Sequence, residues 1–132
     1  MRFGVPLDGL NYWNYGARWG RFHAGTDIAV LGGHDNVHAP LPGLVTNVGW
    51  LNSYSGYGLV VKVRHGSGLA TMYAHLERAS VNRGQRVRKG DLLGYAGCTG
   101  SCTGEHLHFE VRLNGKLRNP RDFIGKRFPS LN

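Results

Sequence analysis

The sequence predicts a mostly β fold: a compact antiparallel sheet domain with long loops forming a groove and at most one short helix. Three observations carry this. Glycine supplies 21 of 132 residues without a Gly-X-Y period, as many turns between short strands require. Several stretches are rich in β-branched residues and alternate apolar with polar positions. No stretch sustains a long helical period.

Residues 1–22 are aromatic and glycine-rich, with Tyr12, Trp13, Tyr15, Trp19 and Phe22 among Asn and Gly, and read as irregular. From Phe22 to Ile28, Gly25 and Thr26 disfavour a helix, so a turn entering a short strand is expected. Gly32 to Pro40 reads as a loop leading into a strand. Residues 43–48 and 59–65 are strand-like, and 69–75 resume the pattern after Gly66-Ser67-Gly68, which predicts a β-hairpin whose second strand closes at His75. Residues 81–97 hold three short apolar pieces punctuated by Gly84, Gly90, Gly94 and Gly97. Residues 106–113 alternate cleanly and end at the turn Asn114-Gly115. Asn119 before Pro120 predicts one short helix reaching Ile124, since Asn caps a helix and Pro suits its first position.

The length fits one domain, 1–132, with one core, and 41% hydrophobic residues make a packed core affordable. The net charge of +8 speaks to partners rather than fold: nucleic acid, an anionic membrane surface and an anionic cell wall are all compatible with it. The basic residues are scattered, with one denser stretch from Arg83 to Lys89, and no long like-charge run indicates a nucleic-acid tail. Met1 to Pro6 leads into polar, glycine-rich sequence, so no signal peptide is read, and no segment approaches the roughly 20 apolar residues of a membrane span. Cys98 and Cys102 lack the second pair that a structural zinc site usually needs, leaving a loop-closing disulfide or free thiols.

The chemistry lies in the placement of the seven histidines. On a strand, His106 and His108 share a face, their Cα atoms about 6.5–7 Å apart, while Leu107, Phe109 and Val111 face the core. His23 and Asp27 bring an imidazole and a carboxylate, both ordinary zinc ligands, four residues apart. Each pattern alone is weak: a solvated strand face or a turn-capping aspartate explains it as well.

Taken in order, His-x-x-x-Asp at 23–27, Tyr73-Ala74-His75-Leu76, and Gly104-x-His106-x-His108-Phe109-Glu110 resemble the lysostaphin-type (M23) zinc endopeptidases. Ala39-Pro40, Tyr57-Gly58, the Val81 to Gly90 repeat of Gly and Val, and Asn119-Pro120 extend the resemblance from Arg21 to Pro120. It implies that His23, Asp27 and His108 bind one catalytic Zn2+ and that His75 and His106 are unligated catalytic histidines. Three protein ligands leave a fourth position open, the pattern of a catalytic zinc. The two free histidines would replace the glutamate base of HExxH proteases, with His106, one strand step from His108, preferred as base. Glu110 faces the same side, as a support for the ligands or as a surface salt bridge.

The resemblance further implies a bacterial peptidoglycan substrate, either peptide stems or cross-bridges, with the aromatic N-terminal segment as a groove wall and Tyr15 as a substrate contact; Trp13 in that role, or plain packing, explains those aromatics as well. It implies action at the cell wall, extracellular or periplasmic; a monomer is expected, and the lack of a signal peptide reads as a phage lytic enzyme or an excised domain. His34 and His38 have ligand-like spacing but no place in the motif and read as structural or exposed; His65 reads as structural. A lipoyl or biotinyl carrier, suggested by Val81 to Gly90, lacks its exposed lysine turn. The competing functions are an inactive wall-binding or regulatory module of the same fold, a basic nucleic-acid-binding β domain, and another zinc amidase or carboxypeptidase, which would need a different ligand order.

Overall fold

The computed structural model of the chain describes residues 1–18, 21–33, 35–51, 56–101 and 104–128. Trp19, His34 and Cys102 lie outside them. The strands are β1 (Leu10–Asn11), β2 (Gly16–Arg18), β3 (Arg21–His23), β4 (Thr26–Ala29), β5 (Asn36–His38), β6 (Gly43–Trp50), β7 (Leu59–Gly66), β8 (Leu69–Ala79), β9 (Arg86–Val87), β10 (Leu92–Ala96), β11 (His106–Leu113) and β12 (Lys116–Arg118). All their pairings are antiparallel. The main sheet runs β1-β4-β11-β8-β7-β6-β9, with β12 on β11 and β10 bridging β8 and β5; β2 and β3 form a separate hairpin. Among the described residues the helical content is one 3-10 turn, Pro120–Asp122, where the Asn119 side chain accepts the Arg121 N–H. No helix of the described residues is long and apolar enough to cross a membrane.

The expected hairpin forms from β7 and β8. Ser67 and Gly68, at φ 51° and 81°, make a two-residue turn with both centres left-handed, the geometry whose twist matches the strands. The strand does not close at His75, as the alternation predicts; β8 continues to Ala79. Leu59 pairs with Leu76 and Val61 with Tyr73, so Val60 alone opposes Ala74 and His75. This is a β-bulge, and His75 takes φ 62° inside it.

The described residues among 1–22 hold more regular structure than their composition predicts. They contribute β1, β2 and part of β3, and Phe3 and Leu7 are buried in the core. Phe3 packs against Phe109, Phe123 and Phe128 at centroid distances of 6.2, 6.0 and 5.8 Å, joining both ends of the chain behind β11. Leu107, Phe109 and Val111 are all 0% exposed on that face. Burying these side chains, at about 1.5–3 kcal/mol each, makes β11 a fixed platform.

Candidate metal centre

Register places the site. On β11, His108 pairs with Asp27 of β4 on one side and with Ala74 of β8 on the other, while His106 pairs with Ala29. Directly paired residues share a face, so Asp27, His106 and His108 project together. His23 ends β3 and is returned toward Asp27 by the turn at Ala24-Gly25. A Cβ on Gly25 would fall 2.2 Å from the Phe109 carbonyl oxygen, so glycine is what lets this turn lie against β11.

One potential ligand atom from each of His23, Asp27 and His108 lies within 4.8 Å of the others. His23 Nε2 is 3.4 Å from Asp27 Oδ2, and His108 Nδ1 is 3.2 Å from Asp27 Oδ1. Hydrogen bonds select the tautomers. His23 Nδ1 lies 3.0 Å from the Asn14 carbonyl, which can only accept, so Nδ1 carries hydrogen and Nε2 presents its lone pair. His108 uses the opposite nitrogen: Nε2 sits 2.8 Å from Glu110 Oε2, leaving Nδ1 toward Asp27.

Glu110 is 1% exposed, which corrects the surface salt-bridge alternative. Its Oε2 accepts the Tyr57 hydroxyl as well as His108, and Arg112 Nη2 stands 3.8 Å from Oε1. Tyr57 and Asn14 are contacts that sequence reasoning missed; Tyr57 stood only as part of a Tyr-Gly motif, and Asn14 carried no signal.

His75 and His106 complete the ring cluster, 4.7 Å apart between centroids. The same tautomer logic applies to both. His75 Nδ1 donates to the Thr99 carbonyl at 2.8 Å and His106 Nδ1 to the Gly104 carbonyl at 2.8 Å. Each therefore has Nε2 to offer, and His106 Nε2 is 3.7 Å from Asp27 Oδ1. Thr99 is itself pinned, donating to the Leu76 carbonyl and accepting the Leu59 N–H. Gly58, at φ 68°, allows this approach, since a Cβ there would meet Thr99 Oγ1 at 2.4 Å. Cys98, next to Thr99, is disulfide-bonded.

The electrostatics are those of a cation site. Burial raises the Asp27 pKa, but hydrogen bonds from His108, His23 and Asn14 outweigh it and hold the carboxyl well below the usual range. Burial lowers His108, yet Asp27 and Glu110 push it up to about 9. Two carboxylates facing one buried imidazole mark a place where positive charge is favoured. Burial lowers the His75 pKa; the Thr99 carbonyl works against this, and His106 and His108 add to the lowering. An N2O donor set whose tautomers point lone pairs at one spot suits zinc.

These residues line an open cleft of about 430 Å³ with Phe22, Tyr57 and Ser101. Tyr15 stands behind that wall: its ring meets Phe22 edge-on at 5.3 Å and its hydroxyl donates to the Leu117 carbonyl. His38 is remote from the cluster, with Nδ1 on the Gly90 carbonyl. His65 is 3% exposed and bonded to the Pro42 carbonyl and Thr71, a structural position.

An antiparallel sheet presenting three metal-type donors and two further imidazoles to an open cleft is the layout of a metal-dependent peptidase. The chain belongs to peptidase family M23, whose model matches residues 21–120. It is 43% identical over 100 residues to the DD-carboxypeptidase/endopeptidase Mpg of Neisseria meningitidis, covering 76% of this chain and 22% of that protein. It is 34% identical over 122 residues to the murein hydrolase activator NlpD of Salmonella dublin, covering 92% of this chain and 31% of that one. Among solved structures it resembles a zinc-containing peptidase from Vibrio cholerae, with a TM-score of 0.74 and 31% identity over 98% of this chain and 41% of that one. The chain thus spans about a fifth of the length of relatives such as Mpg (22%).

Proposed function

We propose that the chain is a zinc-dependent endopeptidase that hydrolyses peptide bonds in bacterial peptidoglycan, acting as a monomer at the cell wall, outside the cytoplasm. The observation that carries this is the convergence of His23, Asp27 and His108 in one cleft with His75 and His106. His23 Nε2, an Asp27 carboxylate oxygen and His108 Nδ1 would hold the metal. When bound, zinc supplies Lewis acidity, polarising a peptide carbonyl and acidifying water.

The chain's own groups do the rest. Glu110 holds the His108 ring and directs Nδ1 inward. His106 accepts the proton of the attacking water at Nε2, which faces the cleft 3.7 Å from Asp27 Oδ1. His75, its ring tilted against that of His106, is placed to pass a proton to the leaving amine. Phe22 and Tyr57 flank the cleft where a short, flexible peptide fits, with Tyr15 backing Phe22. The +8 charge favours residence on anionic wall polymers.

Purified cell walls incubated with the protein should release peptide fragments identifiable by mass spectrometry. A chelator should stop the release and added zinc restore it. Release indifferent to chelation would contradict the metal mechanism. The similarity to NlpD over 92% of the chain supports a second reading, a wall-bound activator of another hydrolase. That reading predicts peptidoglycan binding, no fragments, and stimulation of a separate enzyme.

A further inference from the structure

Asn14 lies outside the matched residues 21–120, yet it touches two of the three proposed ligands. Its Nδ2 donates to Asp27 Oδ2 at 2.9 Å, and its Oδ1 accepts the Asp27 N–H at 3.0 Å. One amide thus closes a ring on one aspartate, gripping carboxylate and backbone together. Its own carbonyl accepts from His23 Nδ1 at 3.0 Å. The surrounding chain is built to deliver it. Asn11 pairs with Ile28, and the Tyr12 N–H donates to the Asp27 carbonyl at 3.0 Å. Trp13 then takes φ 49°, a left-handed conformation that costs about 1–3 kcal/mol for a non-glycine residue and persists only where its surroundings fix it.

We infer that Asn14 is a positioning residue of the metal centre, setting the Asp27 carboxylate and the His23 tautomer for zinc. The amide is suited to this as no other side chain of its length is: aspartate lacks the donor, and leucine lacks both groups. The backbone carbonyl survives substitution, so a side-chain variant isolates the Asp27 clamp. The inference rests on the proposed zinc reading, and the test separates the two.

Asn14→Ala and the near-isosteric Asn14→Leu would be compared with the intact chain. Zinc affinity is measured by chelator competition, the Co2+ absorption spectrum is recorded, and folding without metal is followed by circular dichroism. The expected result is folded variants whose zinc affinity falls about 10–100-fold and whose cobalt spectrum changes shape and intensity. A role in packing alone would leave the cobalt spectrum unchanged. If either folded variant keeps the parent affinity and spectrum, the inference is overturned; if neither folds, Asn14 is a folding residue and it is overturned as well. If the unaltered protein binds no zinc, the proposed function fails first.

Discussion

His108 Nε2 lies 2.8 Å from Glu110 Oε2, two positions along one strand and on the same face. That contact decides which nitrogen His108 turns toward Asp27, and it buries a carboxylate that would otherwise be costly. Glu110→Ala should therefore weaken zinc binding about 10–100-fold, and Glu110→Gln, which keeps an acceptor but no charge, should fall between. Competition titration with a chelator measures this. Equal affinity in all three proteins would show that the contact does not matter to the metal.

The two unligated histidines should separate binding from chemistry. His75→Ala and His106→Ala are each expected to keep a full complement of zinc while wall hydrolysis drops by about 10²–10⁴-fold. Metal analysis of the purified variants beside their hydrolysis rates gives both readings. Loss of metal in either would make that histidine a ligand.

His65 predicts a pH dependence of stability away from the cleft. Tyr73 and Thr71 hydroxyls form a buried chain to His65 Nε2, and Nδ1 donates to the Pro42 carbonyl. Burial holds its pKa below the usual 6.5, despite the Pro42 and Leu41 carbonyls, so the folded ring stays neutral where the unfolded one is protonated. Stability from this group is complete above that value and is lost as pH falls below it. Urea unfolding at about pH 7.5 and about pH 5.5 should show a larger loss in the parent than in His65→Gln. Parallel losses would contradict it.

Much of this was legible in sequence because it depends on period and order. Alternation alone placed Leu107, Phe109 and Val111 in the core and His106 and His108 opposite. The Ser67-Gly68 turn and the Asn119 cap are local chemistry, written in adjacent residues. The bulge at His75 was not, because two residues facing one is a property of the pairing and leaves no mark in either strand.

The same limit hid Asn14 and Tyr57. Each acts across 13 or 53 residues of chain, and neither belongs to a spacing that local geometry enforces. Alternation puts Glu110 on the correct face, but the Tyr57 hydroxyl that donates to it comes from another part of the chain, which no pattern on β11 announces. Within residues 1–22, β1 forms by pairing with β4, and Phe3 docks on Phe109, contacts between separate parts of the chain.

The central claim is that His23, Asp27 and His108 hold one zinc ion that hydrolysis requires. Metal content and wall hydrolysis of the intact protein and of His108→Ala, measured on the same preparations, test it most directly. The account predicts one zinc per chain and active hydrolysis in the first, with both lost in the second. A His108→Ala protein that still carries zinc and still cleaves walls would contradict it.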